Sequence, residues 1–259
     1  MRRWILPVWG LWWREMVRFV RQRSRVTGAL LQPLVFWLLL GGGLNASFRP
    51  TGFAGVSYVE YFYPGTVVLV LLFTAIFATI ATVEDRKSGF LQGVLVAPMA
   101  RSAIVLGQVL GSATLATLQG TLMLAFAPAG GVRLALGPFV LTVLVMSVLA
   151  IALSGLGLSI AWRMDSTQGF HAVMNMLLLP LWFLSGAVFP VNDAPLPIWL
   201  LMVVNPLMYG MAALRRSLYW QEAPSLEGLP SFATSLLVSV VFAAATLALA
   251  TRNAKRQVW

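Results

Sequence analysis

Across 259 residues the chain carries 59% hydrophobic and 10% charged side chains, with a mean hydropathy of +0.84. That is too apolar for a soluble domain to cover with water-facing groups, so the bilayer is its solvent and an all-α integral membrane protein is expected. The lack of Cys and the single His exclude disulfides, thiolate metal sites and a multi-histidine centre within one chain. The formal charge of +10 does not point to nucleic acid, because most basic residues stand beside hydrophobic runs, where retention on the cytoplasmic side is the commoner cause.

The first predicted element covers residues 1–25. From Trp4 to Arg25, Arg14, Arg18, Arg21 and Arg25 share one helical stripe while Trp9, Trp12, Met16, Phe19 and Val20 gather opposite. Such a helix suits the membrane interface, with tryptophans at headgroup level and arginines against anionic lipid. No short apolar core with a small-residue cleavage site precedes the first long apolar run, so a cleaved signal peptide is not expected.

Six membrane helices follow, at about 26–44, 59–83, 103–127, 138–162, 170–189 and 231–251, each near the roughly 20 residues needed to cross a bilayer. On the second, Phe62, Thr66, Phe73 and Phe77 share a stripe. The connection at 84–102 opens on Glu84, Asp85, Arg86 and Lys87 and passes Gly89. Phe90, Leu91, Val94 and Leu95 then recur at helical spacing, Pro98 stops the helix, and Arg101 follows. A short amphipathic helix of this kind is able simply to lie on the membrane. The third span carries Gly107-x-x-x-Gly111, suited to close helix packing.

On the fifth span His171, Asn175, Leu178, Trp182, Ser185 and Phe189 recur at intervals of four and three, forming one stripe. Polar groups within a span rarely face lipid, so these either satisfy neighbouring helices or line a pathway. Pro180 should kink the span, as a static bend or a bending point. Residues 190–230 hold six prolines and an apolar run, Ile198 to Val204, too short to cross. Two short helices broken at Asn205-Pro206 and dipping into the outer leaflet satisfy both constraints.

With a cytoplasmic amino terminus, fourteen of the eighteen basic residues fall on the inner side and only Arg49, Arg133, Arg215 and Arg216 on the outer. Both termini are therefore expected in the cytoplasm, in a bacterial-type inner membrane.

The run Phe183-Leu184-Ser185-Gly186-Ala187-Val188-Phe189-Pro190, followed by Asn205-Pro206-Leu207-Met208-Tyr209-Gly210, resembles the fifth span and re-entrant hairpin of type-2 ATP-binding-cassette (ABC) exporter permeases. The likeness is closest to the branch with drug-resistance and nodulation-factor permeases, and it extends over essentially the full chain. It implies that residues 1–25 are the elbow helix and that 84–102 is the coupling segment that docks on a nucleotide-binding subunit. The coupling residues would be Glu84, Asp85, Arg86, Lys87, Gly89, Phe90, Leu91, Pro98 and Arg101. One departure is Gln92, which stands where many relatives carry a second acidic residue. The resemblance also implies a pathway lined by Phe62, Thr66, Phe73, Phe77, His171, Asn175, Trp182 and Ser185, an apolar aromatic wall that favours amphiphilic cargo. Phe189, Pro190, Asn205, Pro206 and Tyr209 would form an extracellular gate.

No G-x-x-x-x-G-K-S/T run exists in the chain. The expected machine therefore has no catalytic site here. It needs two copies of this permease and two ATPase subunits that bind ATP and Mg, and it exports a drug, lipid-like molecule or glycoconjugate. The alternatives are an ion-coupled secondary transporter, which normally holds ionisable groups near mid-membrane where this chain has almost none, or a non-transporting scaffold. An intramembrane serine hydrolase using His171 lacks an assembled nucleophile, base and orienting acid.

Overall fold

The computed structural model describes residues 2–21, 23–45, 57–97, 99–132, 135–220 and 228–256. Pro98 lies outside the described residues, as does the side chain of Arg25. The described chain is helical: α1 (Arg2–Arg21), α2 (Arg23–Leu44), α3 (Tyr58–Ala78), α4 (Ile80–Lys87), α5 (Phe90–Val96), α6 (Arg101–Leu124), α7 (Leu136–Ala161), α8 (Thr167–Trp182), α9 (Leu196–Val204), α10 (Pro206–Leu218) and α11 (Phe232–Arg256). Among the described residues, five apolar stretches are long enough to cross a membrane, 58–87, 101–124, 136–161, 167–187 and 232–256, and a sixth if the bent pair 196–204 and 206–218 is counted as one span. Helix α2 is 22 residues long, about 33 Å of rise, with its apolar described part at Leu31–Leu44.

The centre of the bundle is the rod formed by α3 and α4, 30 residues from Tyr58 to Lys87. Its start is fixed by a capping box: the Glu60 amide donates to Ser57 Oγ (3.3 Å) and the Ser57 amide to Glu60 Oε2 (3.1 Å). Because α2, α6, α7, α8 and α10 pack around it, its residues are apolar on all sides, and Val67, Val68, Val70, Leu71 and Leu72 are fully buried. The rod ends at Ser88, where Gly89 adopts φ +77° and turns the chain into α5.

This boundary shifts the expected start of the amphipathic helix within residues 84–102. Glu84, Asp85, Arg86 and Lys87 are the last turn of the membrane rod and not the start of the amphipathic helix, which is only Phe90–Val96. The reason is the Ser88-Gly89 break, which ends one helix and starts another.

The paired glycines of α6 pack against α1. A Cβ at Gly107 would sit 2.9 Å from Leu11 Cβ and 3.0 Å from the Val8 carbonyl oxygen, and one at Gly111 would sit 2.9 Å from Glu15 Cβ. Helix α1, the expected elbow, is thus seated in a groove that only glycine leaves open. At the same end of the bundle lie α5, the end of α7, the start of α8 and the end of α11; the opposite end holds the start of α3 with α9 and α10. Helices α9 and α10 meet at a bend of 80°, the expected broken hairpin.

Helix α8 departs from a regular stripe. Its α-helical hydrogen bonding stops at Trp182 and gives way to a wider π turn over Phe183–Ala187, with Gly186 at φ +81°. Pro180 has no N–H to give, which loosens the ladder just before this turn.

Candidate functional site

Three clusters lie along the central rod. At its Lys87 end, Arg14 of α1 holds Asp85 with both guanidinium branches: Nη1 donates to Oδ2 (2.6 Å) and Nη2 to Oδ1 (2.5 Å). Arg18 donates to Glu84 Oε2 and, at 3.4 Å, to Asp85 Oδ1. The Arg14 guanidinium also sits 4.0 Å over the Phe90 ring, so one side chain joins elbow, rod and α5. Hydrogen bonding to Asp85 raises the Arg14 pKa; burial opposes the rise, and the charges of Asp85 and Glu15 add to it.

The arginine stripe therefore differs from the expected lipid-facing one. Arg14 and Arg18 turn inward to carboxylates, while Trp4, Trp9, Trp13 and Val20 are exposed. Trp12 donates to Thr114 Oγ1 of α6 (3.1 Å), Phe19 lines a cavity described below, and Arg21 is exposed. On the far side of the rod, Arg86 donates to the Trp162 carbonyl (2.6 Å) and the Met164 carbonyl (3.2 Å), tying the rod to the α7–α8 turn. In α5 Leu91 is buried against Leu11, Ile104 and Trp162, whereas Phe90 is 41% and Val96 86% exposed. The short helix is anchored by one face and offers the other.

The second cluster is a cavity of about 520 Å³ between α1, α2, the rod, α6 and α8. Phe73, Phe77, His171 and Asn175 line it, together with the polar Gln32, Glu15 and Arg18. Phe77 stacks on Phe73 (centroids 5.4 Å) and carries the His171 imidazole at 5.1 Å. The surface is an aromatic wall with a few hydrogen-bonding groups, able to hold an amphiphile by its apolar part.

Four other residues expected on that wall are instead buried inside the chain. Phe62 packs edge-on against Trp182 (5.9 Å), whose Nε1 donates to the Gly65 carbonyl (2.8 Å). Thr66 Oγ1 donates to the Phe62 carbonyl (3.2 Å) and Ser185 Oγ to the Trp182 carbonyl (2.6 Å). The π turn rotates everything beyond Trp182, and the close approach of rod to turn buries this half of the stripe. A Cβ at Gly65 would stand 2.8 Å from the Ala187 carbonyl oxygen.

The third cluster closes the opposite end. The π turn frees backbone carbonyls, and side chains of α3 and α10 take them up. Tyr61 Oη and Arg215 Nη2 both donate to the Gly186 carbonyl at 2.9 Å, and Tyr58 Oη donates to the Val188 carbonyl at 3.1 Å. Asn205, at the hairpin break, donates from Nδ2 to the Leu181 carbonyl (2.8 Å) while its Oδ1 accepts from the Leu207 amide (3.0 Å), capping α10 above Pro206. Pro190 is buried, and Phe189 and Tyr209 pack against the small cluster of Val191, Met202 and Met208.

Sequence reading missed Tyr58, Tyr61 and Arg215. Arg215 is only 2% exposed and lies with its guanidinium 4.0 Å over the Tyr61 ring. A signal was present: an arginine following Met211-Ala212-Ala213-Leu214 on an apolar helix demands buried partners.

A family model described as ABC-2 type transporter matches residues 7–219. The protein named transport permease ycf38 of Cyanophora paradoxa is 28% identical over 243 residues, 88% of this chain and 82% of that one. Nodulation protein J of Rhizobium leguminosarum bv. trifolii is 30% identical over 195 residues, 72% of this chain and 71% of the relative. Nodulation protein J of Rhizobium meliloti is 28% identical over 201 residues, 74% and 73% of the two chains.

Proposed function

The chain belongs to the ABC-2 type transporter family, and on that premise we propose that it is the permease subunit of an ATP-driven exporter of amphiphilic molecules. As an ABC-2 permease it is a multi-pass membrane transport subunit of a family that works with an ABC ATPase subunit. Two copies of the chain would pair, each docking one ATPase that binds ATP and Mg. Both termini would face the cytoplasm of a bacterial-type inner membrane, and the cargo would be a drug, lipid-like molecule or glycoconjugate.

The observation that carries this reading is the continuity of the rod from Tyr58 to Lys87. Its inner end, at Glu84 and Asp85, is gripped by the elbow and abuts α5 through Arg14. Its middle supplies Phe73 and Phe77 to the cavity, and its outer end supplies Tyr58 and Tyr61 to the carbonyls of the π turn. A displacement imposed on α5 by a closing ATPase would therefore reach cavity and outer end through a single helix. Packed helices shift as units, because close-packed interfaces move between discrete arrangements. Asn205 would carry the same motion into the hairpin, with Phe189, Pro190, Pro206 and Tyr209 as the rest of the outer gate.

The test is capture of the ATPase. The tagged chain is extracted in mild detergent from its native host and compared with Val96→Glu and Gln92→Arg, both on the exposed face of α5. Recovery of a nucleotide-binding subunit by the unmodified chain, and its loss with either variant at unchanged thermal stability, is the expected result. Recovery of no ATPase by any form, or undiminished recovery by both variants, overturns the coupling assignment.

A further inference from the structure

A second site opens where α6 meets α11, away from the cavity and from α5. We infer that the groove between these helices binds an anionic phospholipid, its acyl chain along the helix surfaces and its phosphate at the basic end of α11. The groove is open to the surface, with about 550 Å³ of space; Leu106, Leu247 and Ala248 form its apolar walls, and Arg252, Lys255 and Arg256 line its end. All three basic side chains are exposed, and the described residues lining the groove include no Asp or Glu.

Several physical features point to a lipid and not to a soluble anion. Both walls belong to stretches apolar and long enough to cross a membrane, so the groove faces acyl chains over much of its length. From Leu247 to Lys255 is about 12 Å of helical rise, comparable to the span from upper acyl chain to phosphate. The first turn of α6 borders the basic end, and its N-cap residue Ala100 supplies no side-chain hydrogen bond, so the positive helix end adds to the field there. The elbow provides the contrast. Its groove contains Arg14 and Arg18, but their charge is already committed to Asp85 and Glu84. Basic pockets between membrane helices at headgroup depth are where anionic headgroups bind selectively. The inference needs the membrane placement common to the family but neither ATP coupling nor any particular cargo.

The experiment is native mass spectrometry of the full chain in mild detergent, titrated with phosphatidylglycerol and, separately, phosphatidylcholine. Wild type should retain phosphatidylglycerol preferentially. Replacing Arg252, Lys255 and Arg256 together by Gln should abolish the preference, at roughly fivefold in affinity per charge. Ala248→Trp fills the groove from an exposed position and leaves every charge in place; it should also reduce retention several-fold. A preference unchanged in the triple variant overturns the site. So does displacement of the lipid by glycerol phosphate at equal concentration, which would make the acyl groove irrelevant. Loss of a captured ATPase in the triple variant with lipid retention intact would assign the basic end to a protein contact and also overturn it.

Discussion

Arg14 and Asp85 face each other across 71 residues of sequence with two parallel hydrogen bonds of 2.6 and 2.5 Å, and this pair fastens α1 to the central rod. The Asp85 side chain is 5% exposed and that of Arg14 31%, so the carboxylate depends on its partner far more than a surface acid would. Arg14→Ala and Asp85→Ala should each lower stability by about 2 to 3 kcal/mol. The double variant should lose clearly less than the sum, because removing both charges leaves neither buried alone. Thermal midpoints of the four proteins in detergent measure this cycle, and strict additivity would refute a direct pair.

Seating of the elbow depends on the absence of side chains at two positions of α6. Gly107→Leu would drive atoms into Leu11 and the Val8 backbone of α1, since even a Cβ stands within 3.0 Å of both. Expected is displacement of α1, read as a change in the fluorescence of its clustered Trp9, Trp12 and Trp13 and as new protease cleavage near Arg21. Gly93→Ala is the control: no atom lies within 4 Å of a Cβ there, and the exposed helical position should gain up to about 1 kcal/mol of helix propensity.

The two halves of the expected pathway stripe should respond differently to substitution. Phe77→Leu and Asn175→Leu alter the cavity wall and should shift the cargo profile or the binding of a fluorescent amphiphile while leaving the thermal midpoint nearly fixed. Phe62→Ala empties a fully buried position beside Trp182 and should cost about 3 to 5 kcal/mol. If the cavity substitutions leave amphiphile binding untouched, the cargo lies elsewhere.

Much of this arrangement was written locally and could be read locally. The six apolar runs, the Asn205-Pro206 break and the amphipathic elbow follow from hydrophobic period and from proline, which act within a few residues. What escaped reading was the choice of partner. The stripe of Arg14 and Arg18 gave a face but not its neighbour, and lipid phosphate and the carboxylates of Glu84 and Asp85 are equally good partners for a guanidinium. Of the stripe drawn at constant helical period, His171 and Asn175 line the cavity, but Trp182 is already buried against the rod, and beyond it the π turn at Phe183–Ala187 adds a residue that the period does not anticipate. Arg215 was counted among the outer basic residues, yet it answers a carbonyl 29 positions earlier that is free only because that turn exists.

That carbonyl makes the sharpest prediction for the Tyr58 end of the rod. Gly186 occupies φ +81°, and a Cβ there would also stand 3.2 Å from Val191 Cγ2, so Gly186→Ala should cost about 1 to 3 kcal/mol through strain alone. Arg215→Met keeps the length and apolar stem but removes the donor, leaving Tyr61 Oη as the described remaining donor to the Gly186 carbonyl. Tyr61→Phe does the reverse. Either single change should be tolerated with a loss of about 1 to 2 kcal/mol, since the carbonyl keeps one partner. The pair should lose more than the sum, because the second removal strands a buried acceptor. A gate built on this carbonyl should also leak: vesicles carrying the double variant should lose an entrapped amphiphilic dye without ATP, whereas Thr142→Ala, which breaks a buried hydroxyl contact to Ser217 away from the π turn, should lower stability without opening the leak. Equal leakage from both would show that general loosening, and not release of the Gly186 carbonyl, opens the outer end.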